Sequence, residues 1–469
     1  MTIPIRYAYL MAVIFLLRLS PVDARPVPGE NWAGIYMDGR KAGYAFYAVD
    51  VDSGGAAYRL RTRFRLEVLM MGVNRVMSQV SEARLDRDFR LLDFKLDFTS
   101  DDSGFHGWGR MGSGGRLEMS VITRSDTSRR VLQVPRDVFI DGSVEPFIGL
   151  NFSEFGTRTV LNTFEPVTGL MDSVVVTKLD PEKLATPSGE TLAFPFRLVD
   201  STGEAKLWLS QSGGLLKEIG PLGMELRAEP RDVAAGQVRD DDRVDFLTAF
   251  AVKANRFIPD PRNLKRLRVR LDGLEDVDWI PIDSRQNWID RDRWILEILA
   301  ADVEVDPVPE DADRYLEPGP FVQSDDPRIV SQAELIAAGL RQDTAKVARV
   351  VEWVHHTLFR EPTVSLPSAI DVLKERKGDC NEHTILTVAL LRSLGVPSRQ
   401  AVGLVYESGS FYYHAWPEVY IDGWRGIEPT LGGLWTDATH IKLAQGGLDR
   451  QQNILKAMNR LEIEIVYFE

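Results

Sequence analysis

Apolar and polar positions alternate with period two through most of residues 31–242. In 58–68, Arg59, Arg61, Arg63 and Arg65 fall on one face and Leu60, Phe64, Leu66 and Val68 on the other. That is the pattern of a strand buried on one side. Residues 85–99 continue the alternation through Phe89, Leu91, Phe94, Leu96 and Phe98. Asp38-Gly39 between short apolar segments signals a hairpin. Glycines at 107–115 and 213–214 mark further turns, and 192–198 and 205–209 predict strands. Helices are expected only within 137–155 and 181–184. Residues 25–242 therefore predict a large antiparallel β domain. The row of four arginines is taken as the solvated side of its strand, in preference to a grip on an anionic polymer or lipid head group.

Three more strands are expected at 246–256, 264–271 and 294–303, forming a small β bridging module over 243–305. An acidic, proline-bearing stretch at 302–320 then reads as a stiff linker; a strap shielding a site is the alternative. Beyond it the period changes to that of helices. Val347, Val350, Val351, Val354 and Leu358 make an i, i+3, i+4 stripe within 344–358. Shorter helices are expected at 331–340 and 368–376, and a nearly all-apolar one over 384–394, ended by Gly395 and Pro397. Residues 306–469 form the last expected domain, and the whole reads as an α+β multidomain chain.

Composition changes this picture in three places. The length, 469 residues, suits about three domains. A net charge of −13 argues against nucleic acid as a partner. Residues 1–24 read as an export signal: Arg6, an apolar run over 7–17, and a small-residue cleavage site at Val22-Asp23-Ala24. The run is shorter than the about 20 residues a bilayer span requires. The expected location is outside the cytoplasm, in a bacterial periplasm, with an uncleaved anchor as the lesser alternative and no stable membrane span once the signal is removed.

Cys380 is the only cysteine. It follows Gly378-Asp379 and precedes Asn381-Glu382-His383, a setting too polar for a core thiol. Asp379 is a suitable N-cap, which puts Cys380 in the first helical turn, where unpaired N–H groups and the helix dipole favour a thiolate. Downstream, 412–421 and 424–428 predict neighbouring antiparallel strands carrying His414 and Glu428. A base with a carboxylate on the next strand is the arrangement that fixes an imidazole tautomer and stabilises its charged form. The register sets a condition. A two-residue turn at Asp422-Gly423 would point Glu428 away from His414; a three-residue loop, or a bulge at Gly426, restores it. His383 is a weaker rival base. His355 and His356 suit the end of their helix, and His106 and His440 lie in loop-like contexts with no metal-ligand pattern.

The order Gly-Asp-Cys-x-Glu-His, apolar helix, Leu-Gly-Val-Pro-Ser-Arg, His-Ala-Trp-x-Glu-Val-Tyr, Glu-Pro-Thr resembles the transglutaminase-like superfamily over about residues 344–433. The resemblance implies a papain-like core, with helices packed on an antiparallel sheet, and a Cys-His-Asp triad. Here Cys380 stands as nucleophile, His414 as general base and acid, and Glu428 replaces the usual Asp. It implies an exported cysteine-dependent enzyme that forms an acyl-thioester on peptide or amide bonds of a protein or peptide substrate, with the cell envelope as the candidate setting and hydrolysis favoured over cross-linking. No metal or organic cofactor is implied. The alternative is a catalytically impaired scaffold whose β domain binds a peptide, lipid or envelope polymer.

Overall fold

The computed structural model describes residues 30–469 except 53–54, 71, 101–102, 124–126, 141, 153, 167–168, 188, 212, 221–222, 246–248, 307–309, 320, 362–367 and 447–459. The export signal expected at 1–24 lies outside the described residues. Among those described, no helix is long and apolar enough to cross a membrane. Strand predominates over helix, and the chain divides after Asp245 into two compact units.

In the first unit sixteen described strands join in one sheet. Glu30–Met37 and Arg40–Val51 pair from Met37 opposite Arg40. Asp38 and Gly39 both take positive φ, 48° and 73°, the conformation that a two-residue hairpin turn demands. In Tyr58–Met70 the apolar side chains are buried and Arg59 and Arg63 exposed. Arg59 lies 3.4 Å from Glu82 and Arg61 2.8 Å from Asp50, so this face is a ladder of surface ion pairs.

Four expectations fail here for local reasons. Residues 85–99 are not one run: Val73–Leu85 ends in a turn and Leu91–Ser100 begins after it. Asp86 makes the break by accepting the N–H groups of Asp88 and Arg90 through its side chain, with Phe89 at φ 62°. Of the glycines at 107–115, Gly114 and Gly115 do turn the chain with positive φ, but Gly107 and Gly109 lie within the strand Ser103–Met111. A Cβ on Gly109 would stand 2.4 Å from the Phe94 ring, so packing rather than turning calls for that glycine. His106 is on the same strand, hydrogen-bonded to Asp97. Residues 182–186 are a strand, Glu182–Thr186, paired with Gly189–Asp200. The expected helix within 137–155 is Val144–Asn151, after a short strand Val138–Ile140 that pairs parallel with Arg158–Glu165.

In the second unit, only Val252–Lys253 of the segment 246–256 is strand among the described residues. Arg266–Asp272 lies between Ile295–Leu299 and the C-terminal Glu462–Phe468 in a four-stranded sheet. Helices Pro327–Ile336, Asp343–Thr357 and Ala369–Glu375 surround a fourth, Cys380–Ser393, whose residues 380–391 are all buried. Ile385, Leu386 and Leu390 of that helix share one apolar cluster with Val347, Val350, Val354 and Ile329, and with Val419 and Ile427 from strands. Each such Leu or Ile contributes about 1.5–3 kcal/mol by leaving water, so the cluster holds the helix firmly. A six-stranded sheet runs Gly433–Trp435, Trp424–Glu428, Ser410–Tyr420, Ser398–Glu407, Ile441–Gln445, with Val252–Lys253 also paired to Ser410–Tyr420.

Candidate functional site

The cysteine helix begins with a reciprocal cap. The Asp379 carboxylate accepts the Asn381 N–H at 3.0 Å, and Glu382 accepts the Asp379 N–H at 2.9 Å. Gly378 makes this closeness feasible. It sits at φ 152°, and a Cβ there would fall 2.3 Å from the Glu382 side chain. The cap does not consume the Cys380 N–H, which stays at the positive end of the helix beside its own sulfur. His383 donates from Nδ1 to the Asp379 carbonyl at 2.7 Å, and burial pulls its pKa down to about 4. It is a neutral, structural imidazole.

His414 comes from Ser410–Tyr420 and Glu428 from Trp424–Glu428. Tyr420 pairs with Trp424 and Glu418 with Gly426, leaving Ile421, Asp422 and Gly423 as a three-residue loop. Asp422 and Gly423 take φ 48° and 99° to close it. This is one of the two irregularities the register required. Nε2 of His414 lies 2.7 Å from Oε2 of Glu428. The other oxygen of Glu428 accepts the N–H groups of Thr430 and Leu431, each at 3.0 Å. Glu428 is thus pinned at both ends, and its extra methylene is absorbed by the turn that follows the strand.

The His414 imidazole is also a hydrogen-bond partner of Cys380. Burial opposes the charged imidazole, but the Glu428 charge and the hydrogen bonds to Cys380 and Glu428 outweigh it and push His414 up to about 10. Burial also opposes a Cys380 thiolate, while the hydrogen bond and charge of His414 and the Ala415 N–H favour it. Burial disfavours the Glu428 carboxylate as well, yet the two imidazoles beside it hold it well below the usual range. Cys380, His414 and Glu428 thus form one chain of partners in which thiolate, imidazolium and carboxylate would alternate in charge. The Trp416 ring lies nearly parallel to His414 at 6.1 Å and closes one side.

The second imidazole on Glu428 is His440, whose Nε2 lies 2.9 Å from the same oxygen that serves His414. Sequence reading placed it in a loop without partners. The available signal was Asp437 three residues earlier, whose backbone and side-chain oxygens face His440 Nδ1 at 3.2 and 3.4 Å. His414, Glu428 and His440 offer donor atoms within 4.8 Å of one another, close enough to consider a metal. The same trio also suits a hydrogen-bonded network in which Nε2–H of each histidine donates to Glu428. The 302–320 stretch is more than a spacer. Glu310 within it accepts the Trp424 Nε1–H at 2.7 Å and lies 3.8 Å from buried Arg399. His355 bonds the Pro429 carbonyl through Nδ1 at 3.0 Å.

Among solved structures, a candidate cysteine protease from Cytophaga hutchinsonii is similar at 18% identity and a TM-score of 0.31, over 44% of this chain and 89% of that one. A β-barrel-like protein of unknown function from Brucella abortus is similar at 14% identity and 0.34, over 43% and 96% respectively. A candidate protease from Parabacteroides distasonis is similar at 11% and 0.19, over 70% and 64%. No curated protein matches. His440 and Asp437 lie just beyond the segment that a family description fits. Residues 331–429, which carry Cys380, His414 and Glu428, match the transglutaminase-like superfamily.

Proposed function

We propose that this chain is a cysteine-dependent acyl-transfer enzyme acting on peptide or amide bonds, built on a papain-like core of helices against an antiparallel sheet. The observation that carries the reading is the chain from Cys380 through His414 to Glu428, with its 2.7 Å contact at the carboxylate end. In the first half-reaction the Cys380 thiolate attacks the carbonyl carbon, and the π pair moves onto oxygen beside the Cys380 N–H. Collapse of that oxyanion breaks the C–N bond. The leaving amine takes the proton from His414, and an acyl-thioester remains on Cys380. In the second half-reaction neutral His414 removes a proton from water, the resulting hydroxide attacks the thioester carbon, and the C–S bond breaks to restore thiolate and imidazolium. Glu428 stabilises each imidazolium state without moving a proton. Water is the favoured acceptor because it needs no pocket of its own, whereas an amine acceptor must be bound well enough to outcompete bulk water. We further propose that the chain is exported, that its substrate is a protein or peptide of the cell envelope, and that residues 306–469 form the catalytic domain.

Burial favours one rival. Cys380 is 8% exposed and His414 5%, as in a scaffold whose site has closed and whose β domain does the binding. Labelling with iodoacetamide at neutral pH separates the two. Rapid modification of Cys380, slowed in His414→Ala, supports the enzyme; equally sluggish modification of both supports the scaffold. Mass spectrometry of Cys380 after exposure to envelope extract then identifies the acyl group it carries.

A further inference from the structure

We infer that His440 is a positioning residue, a permanent imidazolium held between Asp437 and Glu428 that keeps Glu428 ionised and aimed at His414. The inference deepens the proposed function and rests on that reading for its catalytic meaning, though not for the charge of His440.

Nε2 of His440 lies 2.9 Å from Oε2 of Glu428. Nδ1 lies 3.2 Å from the Asp437 carbonyl and 3.4 Å from Asp437 Oδ1. Every one of those oxygens is an acceptor if the two carboxylates are ionised, and their own partners keep them so. Oδ1 of Asp437 takes the Thr439 N–H at 2.7 Å and its hydroxyl at 2.5 Å, and Oδ2 takes Arg262 at 2.8 Å. Oε1 of Glu428 takes two backbone N–H groups, and Oε2 takes His414. A neutral imidazole carries a proton on only one nitrogen, so it would set a bare lone pair against a buried oxygen. Only the doubly protonated ring satisfies both sides. His440 is 4% exposed, which makes an unmatched contact there costly.

The surroundings agree. Trp416 closes one side at 5.2 Å and His414 another at 5.6 Å between ring centroids. The charged and titratable groups facing His440 are Asp437, Glu428 and His414, with Arg262 behind Asp437. Burial opposes its charge, yet Asp437 and Glu428 raise its pKa above the ordinary histidine value. The consequence for the site is a balance. Two cations flank Glu428 on one oxygen, so the carboxylate stays ionised and fixed, while the His440 charge limits how far Glu428 can stabilise His414. Removing that charge makes the site more negative and opposes the Cys380 thiolate.

The test uses the full chain labelled with nitrogen-15 histidine, tractable because the sequence holds only six histidines. Signals are assigned by single substitutions. Both His440 ring nitrogens should show imidazolium shifts throughout the neutral range; a neutral tautomer at pH 7 overturns the inference. His440→Gln keeps a donor for Glu428 but removes the charge. Its acid limb of Cys380 alkylation should move to higher pH by about half a unit or more. An unmoved limb in a protein with a reactive thiol overturns the positioning role. If His440→Gln fails to fold, Asp437→Asn removes one of the two carboxylates beside His440, so its imidazolium signals should give way to neutral ones at lower pH than in the wild type; an unchanged titration overturns the inference. A wild-type thiol inert at every pH sinks the enzyme reading instead, and the nitrogen shifts still decide the charge of His440.

Discussion

Nε2 of His414 lies 2.7 Å from Oε2 of Glu428, while the opposite oxygen of that carboxylate is held by the Thr430 and Leu431 N–H groups at 3.0 Å. The carboxylate therefore spans a fixed gap between a turn and an imidazole. Glu fills that gap, although the family resemblance leads one to expect Asp. Shortening it in Glu428→Asp should break contact at one end, and a displacement of about 1 Å costs roughly a hundredfold in a reaction of this kind. Glu428→Gln keeps the length and loses the charge that favours the His414 imidazolium and with it the Cys380 thiolate, so alkylation should slow by about tenfold for each pKa unit lost. Rates of Cys380 alkylation at neutral pH check both. An Asp variant as reactive as wild type would show that reach is not what Glu supplies.

The same pair sets a pH dependence of stability. His414 is raised to about 10, so the stability it supplies is complete below its unfolded value of about 6.5 and is lost as pH rises towards 10. Glu428 is depressed from an ordinary value of 4.5, so its contribution is present above that value and is lost as pH falls through the acid range. Urea midpoints should be greatest between about pH 4.5 and 6.5 as far as this pair governs them. His414→Ala should flatten the decline from pH 6.5 to 10; an unchanged slope would place the alkaline loss elsewhere.

Gly378→Ala tests the cap that presents the thiol. The new methyl would meet Glu382 Cβ and Cγ at 2.3 Å with φ at 152°. Glu382 must then leave the Asp379 N–H. A lost cap and a strained backbone together cost about 2–4 kcal/mol. Urea denaturation reads that cost, and alkylation of Cys380 should slow in the fraction that stays folded. The companion change Glu382→Gln keeps the capping geometry and should cost less than about 1 kcal/mol.

The cysteine helix, its Asp cap and the His and Glu strands were legible in sequence because each depends on neighbours in the chain. The stripe Val347, Val350, Val351, Val354 has a helical period whatever surrounds it, and Asp379 caps its own helix. Strand parity narrowed the connection before Glu428 to a three-residue loop or a bulge at Gly426, and the structure has the loop at 421–423. His440 was not legible. Its role comes from Glu428 twelve residues away and from the turn at Asp437, and no local periodicity marks either. The same reason hid the pairing of Arg266–Asp272 with Glu462–Phe468, a contact nearly two hundred residues apart. The helix expected within 181–184 failed because pairing with Gly189–Asp200 decided the backbone of Glu182–Thr186.

A buried charge cluster supplies the last prediction. Arg399 Nε lies 2.7 Å from Glu418 Oε2, and Lys442 Nζ lies 2.8 Å from Glu418 Oε1, with side chains 2%, 5% and 7% exposed for Arg399, Lys442 and Glu418. Lys442 also pairs with Asp283, and the Arg399 guanidinium stacks 3.8 Å over the Trp424 ring. Among the described residues, Glu418→Leu leaves Glu310, at 3.8 Å, as the carboxylate paired with Arg399, beside its hydrogen bond to Tyr315. Leaving a buried charge without its close partner costs about 3–5 kcal/mol. Replacing both partners by apolar residues of similar volume removes the desolvation along with the attraction, so Glu418→Leu/Arg399→Met should recover much of that loss. The two single variants and the double close a cycle in urea midpoints. A double variant that loses the full sum of the singles would mean that Arg399 and Glu418 stabilise the sheet through separate contacts, Arg399 through Trp424 and Glu418 through Lys442.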